Sequence, residues 1–297
     1  MATQLRAVEA PPEQSRVASV QRRLATWNQA RLSPGFPSPQ WALDTAREQR
    51  MITLEGEFIE ELRSEVSIAA SGAPTNPDRF IAWFEELENS GPGQGDPLFE
   101  WLAEEAGVED FRCFLRQEAA GEAGFDDLVA MTQVKLPDRA KMELARNYWD
   151  EMGRGNDKGM HGRMLDALVE RLELEPSIET TVPESLALAN AMTAMATARR
   201  YAWHSVGALG VIELTAPARA ACVARGLRRL GFNGKERRYF EVHAVLDVKH
   251  SIAWNREVIR PLVEEDPRRV TAIAEGALIR LECGARCFDR YRSEIWA

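Results

Sequence analysis

Residues 236–263 read ERRYFEVHAVLDVKHSIAWNREVIRPLV. Within them Asp247 and His250 follow His243 by four and seven positions. Seven residues make almost two turns of α-helix, so the three side chains project from one face. Two imidazoles and a carboxylate on one helical face can hold a transition metal, and helical bundles build such centres from inward-facing side chains. Glu241, Lys249 and Glu257 fall mostly on other faces and read as solvated. Surface histidines, or histidines satisfied in a core, would give the same pattern, so the stretch needs partners elsewhere in the chain.

Outward from it, apolar residues recur at three- and four-residue intervals almost everywhere. Amphipathic stretches run through about 13–32, 56–71, 108–131, 136–152, 161–174, 184–214, 216–231, 236–263 and 266–293. Phe80-Ile-Ala-Trp-Phe-Glu-Glu-Leu is another, with Asp78 as its expected cap. The run from Asp96 to Gly107 carries proline near its start and glycine at its end. Alternating apolar and polar residues bounded by tight-turn dipeptides do not recur, and Asn233-Gly234 reads as a helix–helix turn. The class is all-α: a helical bundle over residues 76–297 preceded by a tail and helical extension over 1–75. Ser71–Asp78 (SGAPTNPD) is the expected boundary, and Ser90–Asp96 a second loop.

The chain has 297 residues, 37 Lys plus Arg against 46 Asp plus Glu, and a net charge of −9. That balance argues against a sequence-independent grip on nucleic-acid phosphates, which needs clustered cations. The N-terminus lacks the apolar core of a signal peptide, and no apolar run is long and unbroken enough for a membrane span; a cytoplasmic protein with no membrane partner is expected. Of four cysteines, Cys283 and Cys287 would share a helix face, but no further Cys or His stands near them to complete a zinc set. Histidine is scarce: His161, His204, His243 and His250 are the only four, all in the second half.

Two further elements carry candidate ligands. Glu151-Met-Gly-Arg-Gly-Asn-Asp-Lys-Gly-Met-His161 contains three glycines, each costing about 1 kcal/mol in a helix relative to alanine. An interrupted helix there could bring Glu151 and His161 to one centre; a plain interhelical turn is the simpler reading. Glu213 ends a stretch from Glu184 whose only other charges are Arg199 and Arg200. A carboxylate inside such a helix needs a partner or a metal. The competing expectation puts it, solvated, at a helix end before a new helix starting at Thr215-Ala-Pro217.

The ordered set Glu151, His161, Glu213, His243, Asp247 and His250 resembles the haem-oxygenase-like diiron oxidases and oxygenases, over roughly residues 80–293. The resemblance implies an all-α haem-oxygenase-like bundle with these six residues as ligands to two irons cycling between Fe(II) and Fe(III). O2 would be the co-substrate and a small metabolite, an amino acid or amine, the molecule oxidised by N-oxygenation, desaturation or C–C cleavage. It also implies an external reductant where the reaction needs one and a mobile last ligand helix; a homodimer is allowed. Some relatives add a carboxylate shortly before the first histidine, and Asp157 is the candidate here. His204 reads as a satisfied core histidine, and Arg199 or Arg200 could meet a substrate carboxylate. The competing functions are a haem-binding relative, which would need an axial histidine early in the bundle where this chain has none before His161, a cofactor-free thiaminase-like enzyme, and a non-enzymatic helical adaptor.

Overall fold

The computed structural model describes residues 12–121 and 124–296, and its architecture is helical throughout them. In chain order the helices are α1 (Pro12–Leu32), α2 (Trp41–Ser71), α3 (Pro77–Ser90), α4 (Pro97–Glu104), α5 (Val108–Gly121), α6 (Phe125–Thr132) and α7 (Asp138–Glu151). They continue with α8 (His161–Arg171), α9 (Pro183–Thr197), α10 (Ala202–Arg229), α11 (Arg238–Ala253), α12 (Arg260–Glu265) and α13 (Arg269–Ile295). A π-helical turn, Trp254–Ile259, joins α11 to α12. Among the described residues there is no strand, and extended pairing is confined to one bridge, Met152 with Met160.

Local chemistry sets most boundaries. Asn76 caps α3 by accepting from the Arg79 amide at 3.1 Å, with Pro77 in the first helical position. The expected cap, Asp78, lies inside the first turn instead and pairs with Arg260 at 2.8 Å. Asp96 caps α4 in the same way, accepting from the Leu98 amide at 2.9 Å ahead of Pro97. The expected 108–131 helix is two helices, one ending at Gly121 and the next starting at Phe125 after Gly124, whose φ is +71°. The expected 184–214 helix breaks at Ala198, whose ψ of 107° is extended. Helix α2 begins fifteen residues earlier than its apolar pattern suggests, because residues 41–54 are largely exposed and carry no stripe to read.

The largest departure is α10, which runs unbroken through Pro217. Proline inside a helix costs about 3 kcal/mol and cannot donate to the carbonyl four residues back, here that of Glu213. Burial outweighs this: Val211, Leu214, Pro217, Ala220, Val223 and Leu227 are all buried. The segment Arg199–Arg229 is long and apolar enough to cross a membrane, but two-thirds of its most apolar window is inside the bundle, as a core helix requires.

Helix α10 packs against α13 on one side and α11 on the other. A Cβ at Gly207 would sit 1.9 Å from the Ile273 carbonyl oxygen, and one at Gly276 would sit 1.9 Å from that of His204. The two backbones therefore touch at that crossing. Farther along, Arg219 meets Phe288, so α10 and α13 run parallel. Helices α1 and α2 lie across α9 and α13. Asn28 donates to Asn190 at 3.0 Å, Asn190 donates to Gln21, and Arg31 pairs with Glu55. Ile59, Leu62 and Val66 of α2 belong to the same apolar core as Ile273 and Ala277 of α13.

Candidate metal centre

Helix α11 supplies the central wall. Arg139 pairs with Glu257, His250 meets Asp150, and Arg171 pairs with Glu236, so α7 and then α8 run antiparallel along it. Twelve residues from Arg139 to Glu151 and ten from His161 to Arg171 span nearly the same length as the twenty-one from Glu236 to Glu257. The segment 152–160 is thus extruded from what is otherwise one helical line. Met152 and Met160 close its neck. Gly153, at φ +61°, lies so close to Gly159 that a Cβ would come 2.3 Å from the Gly159 carbonyl carbon. The glycines permit a backbone crossing that no side chain could share. Glu151 and His161 consequently face one another, Oε2 to Nδ1, at 2.8 Å.

His243 of α11 completes this group, its Nε2 3.0 Å from Nδ1 of His161. Its own Nδ1 donates to the Tyr239 carbonyl at 2.7 Å, which fixes the tautomer and leaves the Nε2 lone pair facing the centre. A second group adjoins it. His250 Nδ1 lies 3.4 Å from Glu213 and 4.0 Å from Asp247, without a well-formed hydrogen bond, and all three residues are buried. Asp150 accepts from His250 Nε2 at 3.1 Å, and Asn147 donates to Glu213 at 2.5 Å. Each of these contacts anchors the far side of a candidate ligand and turns its other atom inward.

Burial disfavours the His250 imidazolium. The neighbouring carboxylates of Glu213, Asp150 and Glu151 outweigh it and raise its pKa from 6.5 to about 9. A positive charge is therefore favoured at this position. The donor sets suit iron: Glu151, His161 and His243 make a two-histidine, one-carboxylate triplet, and Glu213, Asp247 and His250 make the reverse. In each triplet the ligand atoms lie within 4.8 Å of one another.

All six sequence-predicted residues thus fall in two adjoining groups. Glu213 is not at a solvated helix end: it is 1% exposed in mid-helix, since α10 continues past it. Asp157 turns away, its side chain 78% exposed and 3.3 Å from Arg163. His204 is a core histidine, bonded to Glu275 at 2.8 Å. Arg199 holds the carbonyls of Met131, Thr132 and Val134, and is not aimed at a substrate. Cys283 and Cys287 are buried thiols, and burial pushes Cys283 up to about 11.

Sequence reasoning missed Asn147 and Asp150, which sit one turn and one residue before Glu151 and meet Glu213 and His250 only once the helices pack. It also missed the cavity that opens on the two groups. Both triplets contribute walls to it, and α10 lines it from Ile212 to Val223, about 16 Å at 1.5 Å per residue. Phe99, Phe114, Leu188, Met192 and Phe288 make it apolar, and Glu118, Asp126, Arg219, Arg280 and Tyr291 add polar groups. Burial, then the charges of Asp127 and Glu151, hold Asp126 above the usual carboxylate range.

No curated protein matches the chain. The model of a haem-oxygenase-like family described as iron-containing redox enzymes matches residues 112–285, more than half of the chain. That span opens in α5, closes in α13 and takes in both carboxylate–histidine groups and most of the cavity wall. The fold, the donor chemistry and the matched span agree, and the chain belongs to this family of iron-containing redox enzymes.

Proposed function

We propose that the protein is a non-haem diiron, O2-activating oxidoreductase acting on a small metabolite. The observation that carries this is the pair of adjoining buried triplets, Glu151/His161/His243 and Glu213/Asp247/His250, on the wall of a metabolite-sized cavity. Irons held there would supply the reduction of O2 and the electrons' acceptor for substrate oxidation. The chain's own residues set the stage. Tyr239 and Asp150 fix the ring orientation of His243 and His250, and Asn147 restrains Glu213, so the ligand atoms need little rearrangement on metal binding. Phe99, Phe114 and Phe288 keep the adjoining cavity apolar and limit water next to the reacting centre.

A haem would need a single axial imidazole with an open face, whereas all four histidines face carboxylates, three in the two triplets and His204 at Glu275. The reaction consumes reductant from outside the chain where the substrate does not supply all four electrons for O2. A cytoplasmic setting and an amino acid or amine as substrate belong to this same reading. The test is Fe(II) loading followed by a screen of amino acids and amines for substrate-triggered O2 consumption. The wild type is expected to bind two irons per chain. Asp247→Ala and His250→Ala are expected to abolish oxidation with helical content nearly intact by circular dichroism; turnover retained in either variant refutes the assignment.

A further inference from the structure

The cavity holds two arginines, and they are treated differently. Arg219 is held by Thr215 at 3.2 Å and Gln94 at 3.4 Å, and its guanidinium also lies against the rings of Phe99 and Phe288. Arg280 has no hydrogen bond and no ion pair among the described residues, and its Nε is buried without a partner. Elsewhere the chain spends arginines on carboxylates: Arg63 on Glu275, Arg139 on Glu257, Arg171 on Glu236. A half-buried guanidinium left without an anion is costly, and the cost is relieved when an anion enters.

Its position suits that task. Arg280 is four residues beyond Gly276 on α13, about 6 Å along the axis, and Glu213 is six beyond Gly207 on α10, about 9 Å. Because the two helices touch at Gly207 and Gly276 and run parallel, Arg280 and Glu213 lie on the same side of the crossing at similar heights. Both line the cavity. Gly284, one turn farther on, leaves room for the guanidinium: a Cβ there would sit 2.9 Å from Nη1 of Arg280. The adjoining walls, Leu188, Met192 and Phe288, are apolar.

We propose that Arg280 is the specificity-determining residue of the cavity, receiving the carboxylate of an acid whose apolar body lies toward Leu188, Met192 and Phe288. The acid is then anchored by a fixed cation on α13 and not through the metal. One unpaired guanidinium supplies one fork of parallel donors, which matches a carboxylate. A phosphate dianion would call for a second free cation, and the cavity's other arginine is already engaged.

The site is that of the proposed diiron function, yet its test does not need iron. Hexanoate and 3-phenylpropanoate are titrated into the full-length metal-free protein, with hexanamide and 3-phenylpropanamide as neutral controls, and binding is read by ligand-observed NMR. The wild type is expected to bind at least one of the two acids in preference to its amide. Arg280→Gln should weaken that acid about tenfold or more, the scale of a charge-assisted hydrogen bond, and Arg280→Lys should weaken it less because charge without the fork remains. Thermal melts and Fe(II) stoichiometry of both variants should match the wild type. Equal binding of acids and amides, absence of any acid binding, or full acid binding by Arg280→Gln overturns the proposal. Acid binding that depends on Arg280 in a protein that takes up no iron would refute the diiron reading and leave this one standing.

Discussion

Asp150 is the residue whose contribution is easiest to separate from that of the ligands. One carboxylate oxygen holds Nε2 of His250 at 3.1 Å, while Arg154 holds the other at 2.6 Å. Burial opposes its ionisation, but the bonds to Arg154 and His250 leave its pKa below the usual range, so it presents a full negative charge. Partners of this kind tune metal affinity by about 10–100-fold. Asp150→Ala is expected to weaken Fe(II) binding by that order at the His250 group alone, read by metal titration, and Asp150→Asn, which keeps an accepting oxygen, should recover part of it. Equal affinity in wild type and Asp150→Ala would refute the role. Gly153 makes a second prediction at this scale. Its φ of +61° and the 2.3 Å approach to Gly159 leave no space for a side chain, so Gly153→Ala should lower the melting temperature and reduce iron uptake together. The glycines of 152–160 were legible as an interruption because three in seven residues cannot belong to a stable helix. Asp150 was not, because an acid between Trp149 and Glu151 reads as surface until a residue one hundred positions away is placed against it.

At the scale of elements, the touch of α10 and α13 governs how the cavity opens. Gly207 and Gly276 let the helices meet at one end, and beyond that point larger side chains, Arg280 and Phe288 among them, hold them apart and create space. Gly276→Ala would drive a methyl group to within 1.9 Å of the His204 carbonyl oxygen. The expected cost is about 1–3 kcal/mol of stability, measured by chemical denaturation, since a packed core has no slack for it. An unchanged midpoint would mean the backbones are not in contact. Most helices were readable from apolar spacing and caps, since α3, α4 and α8 are amphipathic and the first two have capped, proline-led starts. Helix α10 was read as two because Pro217 is a strong local breaker. What overrides it is burial on several sides, a tertiary effect no window of sequence contains. The error mattered, because it offered Glu213 a solvated helix end and made a structural or metal partner look optional.

Across the whole molecule, a chain of polar contacts ties the N-terminal helices to the bundle. Arg63 of α2 donates to Glu275 of α13 at 2.7 Å, His204 of α10 bonds the same carboxylate oxygen at 2.8 Å, and Tyr201 donates to Glu60 of α2 at 2.6 Å. Composition gave no hint of this network, because its acids and arginines belong to the same pool as the solvated surface; only burial singles out Glu275, 5% exposed. Burial pushes Glu275 up, and the bonds to His204 and Arg63 pull it further down, so that its pKa ends below the ordinary 4.5; the Tyr201 hydroxyl, and after it Arg63, lower Glu60 in the same sense. A carboxylate depressed in the folded state binds fewer protons there than in the unfolded chain. Its stabilisation is therefore complete above the unfolded value of about 4.5 and is lost as pH falls through the lower, folded value. The free energy of unfolding should decline as pH is taken from 6 to below 4, with α1 and α2 loosening from α9 and α13. Glu275→Gln is expected to cost about 2 kcal/mol at pH 7, the scale of a lost charge-assisted bond in a buried site, and to make the decline between pH 6 and 4 shallower. Parallel denaturation curves at the two pH values check both statements. A decline as steep in Glu275→Gln as in the wild type would place the acid sensitivity elsewhere and leave the tie between extension and bundle to apolar contact alone.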